Sequence, residues 1–164
     1  MAKRNAPKSG DTGTQEYANR KAYHIYEISE TLETGIVLTG AEVKSLRQGG
    51  GDLQDAFAKV ERGELWLHGM KISPYVFDRE PHPKGPRRPR KLLVHKREIL
   101  RLRQRTIEKG FTLVPLKAYF KDGKVKIEIG LARGKKTYER RATIADRDAA
   151  REIDRAKKMK QAEE

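Results

Sequence analysis

Three short stretches place several cations beside rings or prolines. Lys84-Gly85-Pro86-Arg87-Arg88-Pro89-Arg90-Lys91 packs five cations into eight residues. Proline fixes an extended backbone and holds such cations apart, and the arginine fork matches phosphate oxygens. Gly134-Lys135-Lys136-Thr137-Tyr138-Glu139-Arg140-Arg141 interleaves four cations with one ring. Cations there would neutralise phosphates, and Tyr138 would stack on a base for about 1–3 kcal/mol. Tyrosine's ordinary pKa of about 10 argues against proton transfer at neutral pH. Asn19-Arg20-Lys21-Ala22-Tyr23-His24 offers an amide, two cations and two rings. Each stretch also has a bland reading: a solvated loop, a charged tail, a charged strand start.

The ingredients for catalysis are poor. The histidines His24, His68, His82 and His95 show no HxxxH or HxH spacing, so no metal site is expected. Glu33 and Glu42 could act as bases only if buried beside a partner. Gly49-Gly50-Gly51 reads as a flexible turn and lacks the Lys-Ser/Thr of a phosphate loop. With no cysteine there is no thiolate chemistry, and the composition suits a reducing compartment. The expectation is a protein with no catalytic residue and no cofactor, not an enzyme.

The elements that must carry these stretches follow from composition. The chain has 164 residues, 37 Lys+Arg against 23 Asp+Glu and a net charge of +14, which points to a polyanionic partner. No run approaches ~18 consecutive apolar residues, and the first 15 residues lack a secretory apolar core, so a cytoplasmic protein off the membrane is expected. The charge is uneven: residues 79–105 hold +9, residues 133–164 hold +4, and residues 25–78 hold −4. Residues 1–18 are poor in anything to bury and read as a disordered arm. Residues 19–132 hold nearly all the large apolar side chains and read as the folded core. Residues 133–164 read as a basic tail. Its apolar stripe (Ala149, Ile153, Ala156, Met159) is too thin to order it alone, so it should fold on a partner.

The core reads mainly as strands. Leu116, Ala118 and Phe120, then Val125, Ile127 and Ile129, alternate with polar residues around Asp122-Gly123, a hairpin signal. Further strands are expected at residues 23–28, 35–38, 56–60, 65–67 and 91–94, and Pro115 predicts an edge or a bulge. Residues 41–46 fit strand or helix. Residues 96–109 predict a helix with Ile99, Leu100, Leu102 and Ile107 on one side. Asp52 is a plausible N-cap for a short turn. The sum predicts a mainly β fold: a small closed antiparallel β-barrel of OB type with about two to three flanking helices and a basic tail. OB-folds commonly bind oligonucleotides.

Taken in order, the motifs resemble one family. Asn19-Arg20-Lys21-Ala22 with His24 and Tyr26 is similar to the opening motif of the SsrA-binding protein family (small protein B, SmpB). Thr34 to Gly40, Glu42-Val43-Lys44-Ser45-Leu46-Arg47, Gly63-Glu64-Leu65-Trp66-Leu67 and Ile72-Ser73-Pro74-Tyr75 continue the match. So do Arg88-Pro89-Arg90-Lys91-Leu92-Leu93, the stretch from Ile129 to Lys136, and Arg140-Arg141. Departures are Ala56-Phe57, Gly49-Gly50-Gly51, the segment His82 to Pro86, and Tyr138. The resemblance implies an adaptor that binds the tRNA-like domain of transfer-messenger RNA and carries it to stalled ribosomes for trans-translation. It implies RNA-facing roles for Asn19, Arg20, Lys21, His24, Glu33, Lys44, Arg90, Lys91 and Lys124. The tail residues Gly134, Lys135, Lys136, Tyr138, Arg140 and Arg141 would touch the ribosome at the small-subunit decoding region and mRNA channel, with the tail helical there. A monomer on RNA is implied. The alternative is a general structured-RNA-binding OB protein, such as a ribosome-associated component.

Overall fold

Asp122-Gly123 joins the two longest strands, and both residues take positive φ (53° and 72°), as a type I′ turn requires. The strands are β8 (Phe111–Lys121) and β9 (Lys124–Gly134). Arg62 and Gly63 (49° and 76°) make a second such turn between β4 (Phe57–Glu61) and β5 (Glu64–His68). These hairpins belong to a computed structural model that describes residues 15–80, 82–108 and 110–162. Most of the expected arm therefore lies outside the described residues. Its last two, Tyr17–Ala18, form β1 on the edge of β8.

The ring is completed by β2 (Tyr26–Ile36) and β7 (Arg90–Leu93). The order β8-β4-β5-β7-β2-β9 returns to β8 through the β8–β9 pairing. Every pairing is antiparallel, which gives an OB-like closed barrel. Its weakest seam is β4–β8, a single pair at Ala58 and Leu113. Short strands β3 (Gly51–Asp52) and β6 (Lys71–Ile72) pair separately. The interior is filled by Leu46, Leu65, Leu67, Leu92, Leu113, Ile127 and Ile129, all essentially inaccessible. Among the described residues no helix is long and apolar enough to cross a membrane.

Among the described residues three helices flank the barrel, α1 (Arg20–Ile25), α2 (Gly40–Arg47) and α3 (Lys96–Ile107), within the expected two to three, and a fourth, α4 (Thr137–Ala162), lies in the tail. The expected strand over residues 23–28 is split: α1 takes its first half and β2 its second. Residues 41–46 resolve to helix because Thr39 and Glu42 form a capping box, each side chain bonding the other's backbone N–H. Asp52 caps no helix; its Oδ1 accepts from the Gln54 amide in an Asx turn. On α3 only Ile99 and Leu102 are buried, while Leu100 and Ile107 face out. The expected flexible turn Gly49-Gly50-Gly51 is closely packed instead. Gly49 and Gly50 donate to the Leu46 and Ser45 carbonyls at the end of α2, and a Cβ on Gly50 would collide with the Ser45 hydroxyl.

Pro115 carries a bulge rather than an edge: the β8–β9 register shifts between Pro115 and Lys117. One consequence corrects the expected single apolar face. Leu113 and Ala118 point into the barrel, whereas Val114 and Leu116 point away. Those two join Ala22, Ala132, Tyr26 and Ile28 in a second apolar cluster that seats α1 on the barrel.

Within the expected tail, residues 133–164, the single helix α4 runs from Thr137 to Ala162. Of the thin stripe, Ala149 and Ile153 are exposed, and the side chains of Ala156 and Met159 lie outside those described.

Candidate nucleic-acid interface

A six-residue helix is too short to stand alone, so α1 depends on its cap. Asn19 Oδ1 accepts from the Ala22 amide at 3.3 Å, and Nδ2 donates to the carbonyls of Pro115 (3.0 Å) and Leu53 (3.4 Å). Asn19 is itself buried, so its amide builds the corner rather than facing outward. Arg20, Lys21 and His24 then project from α1. Lys21 Nζ lies 3.0 Å from Asp55 Oδ1. The Arg147 guanidinium of α4 sits against the His24 ring.

The start of the tail arrives at the same corner. Gly134 pairs with Tyr26, the Lys135 amide donates to the Ile25 carbonyl (2.9 Å), and Lys135 Nζ donates to the Tyr23 carbonyl (3.1 Å). A cleft lined by Arg20, Tyr23, His24, Arg147 and Arg151 separates α1 from α4. Lys136 is exposed just beyond. Tyr138, Arg140 and Arg141 lie in the first turns of α4, Arg141 exposed and the side chains of the other two outside those described.

Glu33 and Lys124 sit elsewhere, on the outer face of β2, β8 and β9. Glu33 accepts from the Tyr119 hydroxyl and from Lys121 Nζ (3.1 Å). Lys117 lies over the Tyr119 ring at 5.5 Å and pairs with Glu128 at 3.4 Å. Lys124 is exposed at the hairpin end. The Tyr119 hydrogen bond and then the Lys121 hydrogen bond hold the Glu33 carboxyl below its ordinary value. Burial, then the bond to Glu33, pushes the Tyr119 phenol up to about 12. The stability this phenol contributes is complete below tyrosine's usual 10.0 and is lost as pH rises through about 12. Alkaline difference spectroscopy is expected to lose a component near about 12 in Tyr119→Phe; an unchanged titration curve would contradict the assignment.

The arginine-rich segment is where the structure departs most from the sequence. Arg90 is 1% exposed. Its Nε and Nη2 donate to Glu42 Oε1 (3.0 and 2.9 Å), and its remaining donors go to the carbonyls of Met70, Arg88 and Pro86. Arg88 forks onto the same carboxylate at 2.9 and 2.6 Å. Arg87 donates to the Gly69 carbonyl, and Lys91 pairs with Glu64. Four of the five cations expected to face phosphate are thus engaged within the protein, two of them in a nearly closed knot on Glu42. Lys44, on α2 nearby, lies over the Tyr75 ring at 5.6 Å.

Glu42 is the centre of this knot. Burial acts to raise its carboxyl, but the Arg88 hydrogen bonds, the Thr39 amide and the Arg90 charge outweigh it and hold the carboxyl below its ordinary value. Such a carboxylate is an anchor. Its one signal in the sequence was the capping-box spacing Thr39-x-x-Glu42.

Comparison with known proteins matches this arrangement to one family. The family model described as SmpB protein matches residues 16–159. The SsrA-binding protein of Carboxydothermus hydrogenoformans is 59% identical over 142 residues, covering 84% of this chain and 92% of its own. That of Thermobifida fusca is 48% identical over 156 residues, covering 95% and 97%. A solved structure described as "tmRNA-SmpB: a journey to the center of the bacterial ribosome" is 51% identical with a TM-score of 0.63, covering 75% of this chain and 86% of that one. The chain belongs to the SmpB protein family.

Proposed function

We propose that this chain is a non-enzymatic cytoplasmic adaptor that binds the tRNA-like domain of transfer-messenger RNA and delivers it to stalled ribosomes for rescue and peptide tagging. The observation that carries the reading is the corner where α1 meets the start of the tail. Arg20, Lys21 and His24 stand beside Gly134 and Lys135 there, so one rigid joint links a surface for the RNA carried to a probe for the ribosome visited. Relatives named SsrA-binding protein, and a solved structure of tmRNA with SmpB, support the same partner.

In this reading Arg20, Lys21, His24, Glu33, Lys44, Lys91 and Lys124 face RNA. Asn19 and Arg90 act through others: Asn19 sets α1, and Arg90 sets the loop that leads into β7. Tyr138, Arg140 and Arg141 follow the tail into the mRNA channel as a helix. Filter binding tests the partner. Tight binding to the tRNA-like domain is expected, with affinity falling about 10³–10⁵-fold between 50 and 200 mM salt if 6–10 phosphates are contacted. Equal affinity for random duplex RNA would leave only a general RNA-binding protein.

A further inference from the structure

The motif Glu64-Leu65-Trp66-Leu67-His68 and the departure at Phe57 find no use in the sites above, yet the barrel sets them side by side. Strand register places Phe57 opposite His68, and places Lys59, Trp66 and Lys91 in one row across β4, β5 and β7. The alternate residues Ala58, Leu65, Leu67 and Leu92 fill the barrel interior, so these five stand on its outside. Phe57 is 46% exposed. Its ring lies nearly parallel to that of His68, at 5.1 Å and 12°. His68 Nε2 is 3.3 Å from Glu61 Oε1 but makes no hydrogen bond.

An outward sheet face made of three rings in two adjacent rows is poorly explained by solvation. A stacked pair with one member half-exposed leaves a flat face for a third ring. Among the described residues the flanking cations, Lys59 and Lys91, pair with the half-exposed carboxylates of Glu61 and Glu64. Pairs open to solvent in this way are weak and screened by salt, so a phosphate can displace them. Rings for bases beside cations for the backbone form the pattern of a single-strand platform. β4 and β5 are also the second and third long strands of the barrel, the face on which OB-folds hold oligonucleotides.

We infer that the outer face of β4, β5 and β7 binds a short unpaired stretch of RNA, with one base stacked on Phe57 and its neighbours on the Trp66–Lys59–Lys91 row. The inference rests on the reading that the chain binds RNA, and it adds a second, single-stranded site distinct from the α1 corner. Trp66 is the chain's one tryptophan and reports on the site directly.

The test titrates the full-length protein with an oligouridylate of about eight nucleotides, within the ~4–16 that one OB-fold accommodates. Trp66 emission should change on binding. Phe57→Ala should weaken the complex at least about fivefold, the low end for one stacked base, while Phe57→Tyr preserves it. Lys59→Ala should lower the salt slope by about one. All three variants should bind the tRNA-like domain as the parent does. Unchanged Trp66 emission at saturating oligouridylate would overturn the site and leave the face to a protein partner. So would equal oligouridylate affinity for Phe57→Ala and its parent. Failure of the parent to bind the tRNA-like domain would instead overturn the RNA-binding reading itself.

Discussion

Replacing Glu42 with glutamine is expected to destabilise the protein by about 3–5 kcal/mol, the usual cost of breaking a buried ion pair from one side. For a chain of this length that is a fall in Tm of roughly 6–20 °C. The carboxylate accepts from both guanidiniums and from the Thr39 amide. Removing its charge leaves Arg90, 1% exposed, without a counterion. The effect also carries a pH signature. Glu42 has a lowered folded pKa, so its contribution is complete above the ordinary carboxyl value of 4.5 and is lost as pH falls through the folded value. Thermal melts of the parent should therefore drop steeply below about pH 4.5, and those of Glu42→Gln should drop less. A Tm within about 2 °C of the parent at pH 7 would show that the knot is not what holds the loop to the barrel.

The knot also shows where the sequence was legible. A hairpin announces itself locally: alternation of period two around Asp122-Gly123 fixes strands, turn and buried face together, and only the bulge at Pro115 disturbed that reading. Proline suggested the bulge, but not that Leu116 would turn from the barrel toward Ala22. The roles of Arg88 and Arg90 depend on a carboxylate 46 and 48 residues away. A run of cations read alone looks like surface, and nothing local distinguishes a guanidinium that meets water from one that meets Glu42. α1 escapes a local reading for the same reason. Tyr23-His24-Ile25-Tyr26 has strand-like composition, and the helix is imposed by Asn19 reaching Pro115, 96 residues on. Long-range partners decided each case, so the family's motifs single out residues while leaving open which of them face a ligand and which hold the fold.

Cutting the chain after Lys136 is expected to separate its two tasks. The structure sets the cut there because Gly134 still pairs with Tyr26 and the Lys135 amide still bonds Ile25; an earlier cut would unpick β9 and disturb α1. What is removed is nearly neutral, since residues 137–164 hold eight basic and seven acidic residues, one net charge of the +14. Phosphate binding scales with the cations engaged, so the truncated protein should hold the tRNA-like domain within about tenfold of the parent and with a similar salt slope. The described side chains of α4 between Ile144 and Arg155 are exposed, so little packing is lost and the Tm should stay close to the parent's. Peptide tagging on stalled ribosomes should nevertheless fall to background, because the basic turn at Arg140-Arg141 and the helix that follows are the parts assigned to the mRNA channel. Parallel filter-binding and tagging assays on the two proteins decide it. Equal loss of both activities would mean that α4 also holds the RNA, through the cleft it shares with Arg20 and His24, and the division into platform and probe would fail.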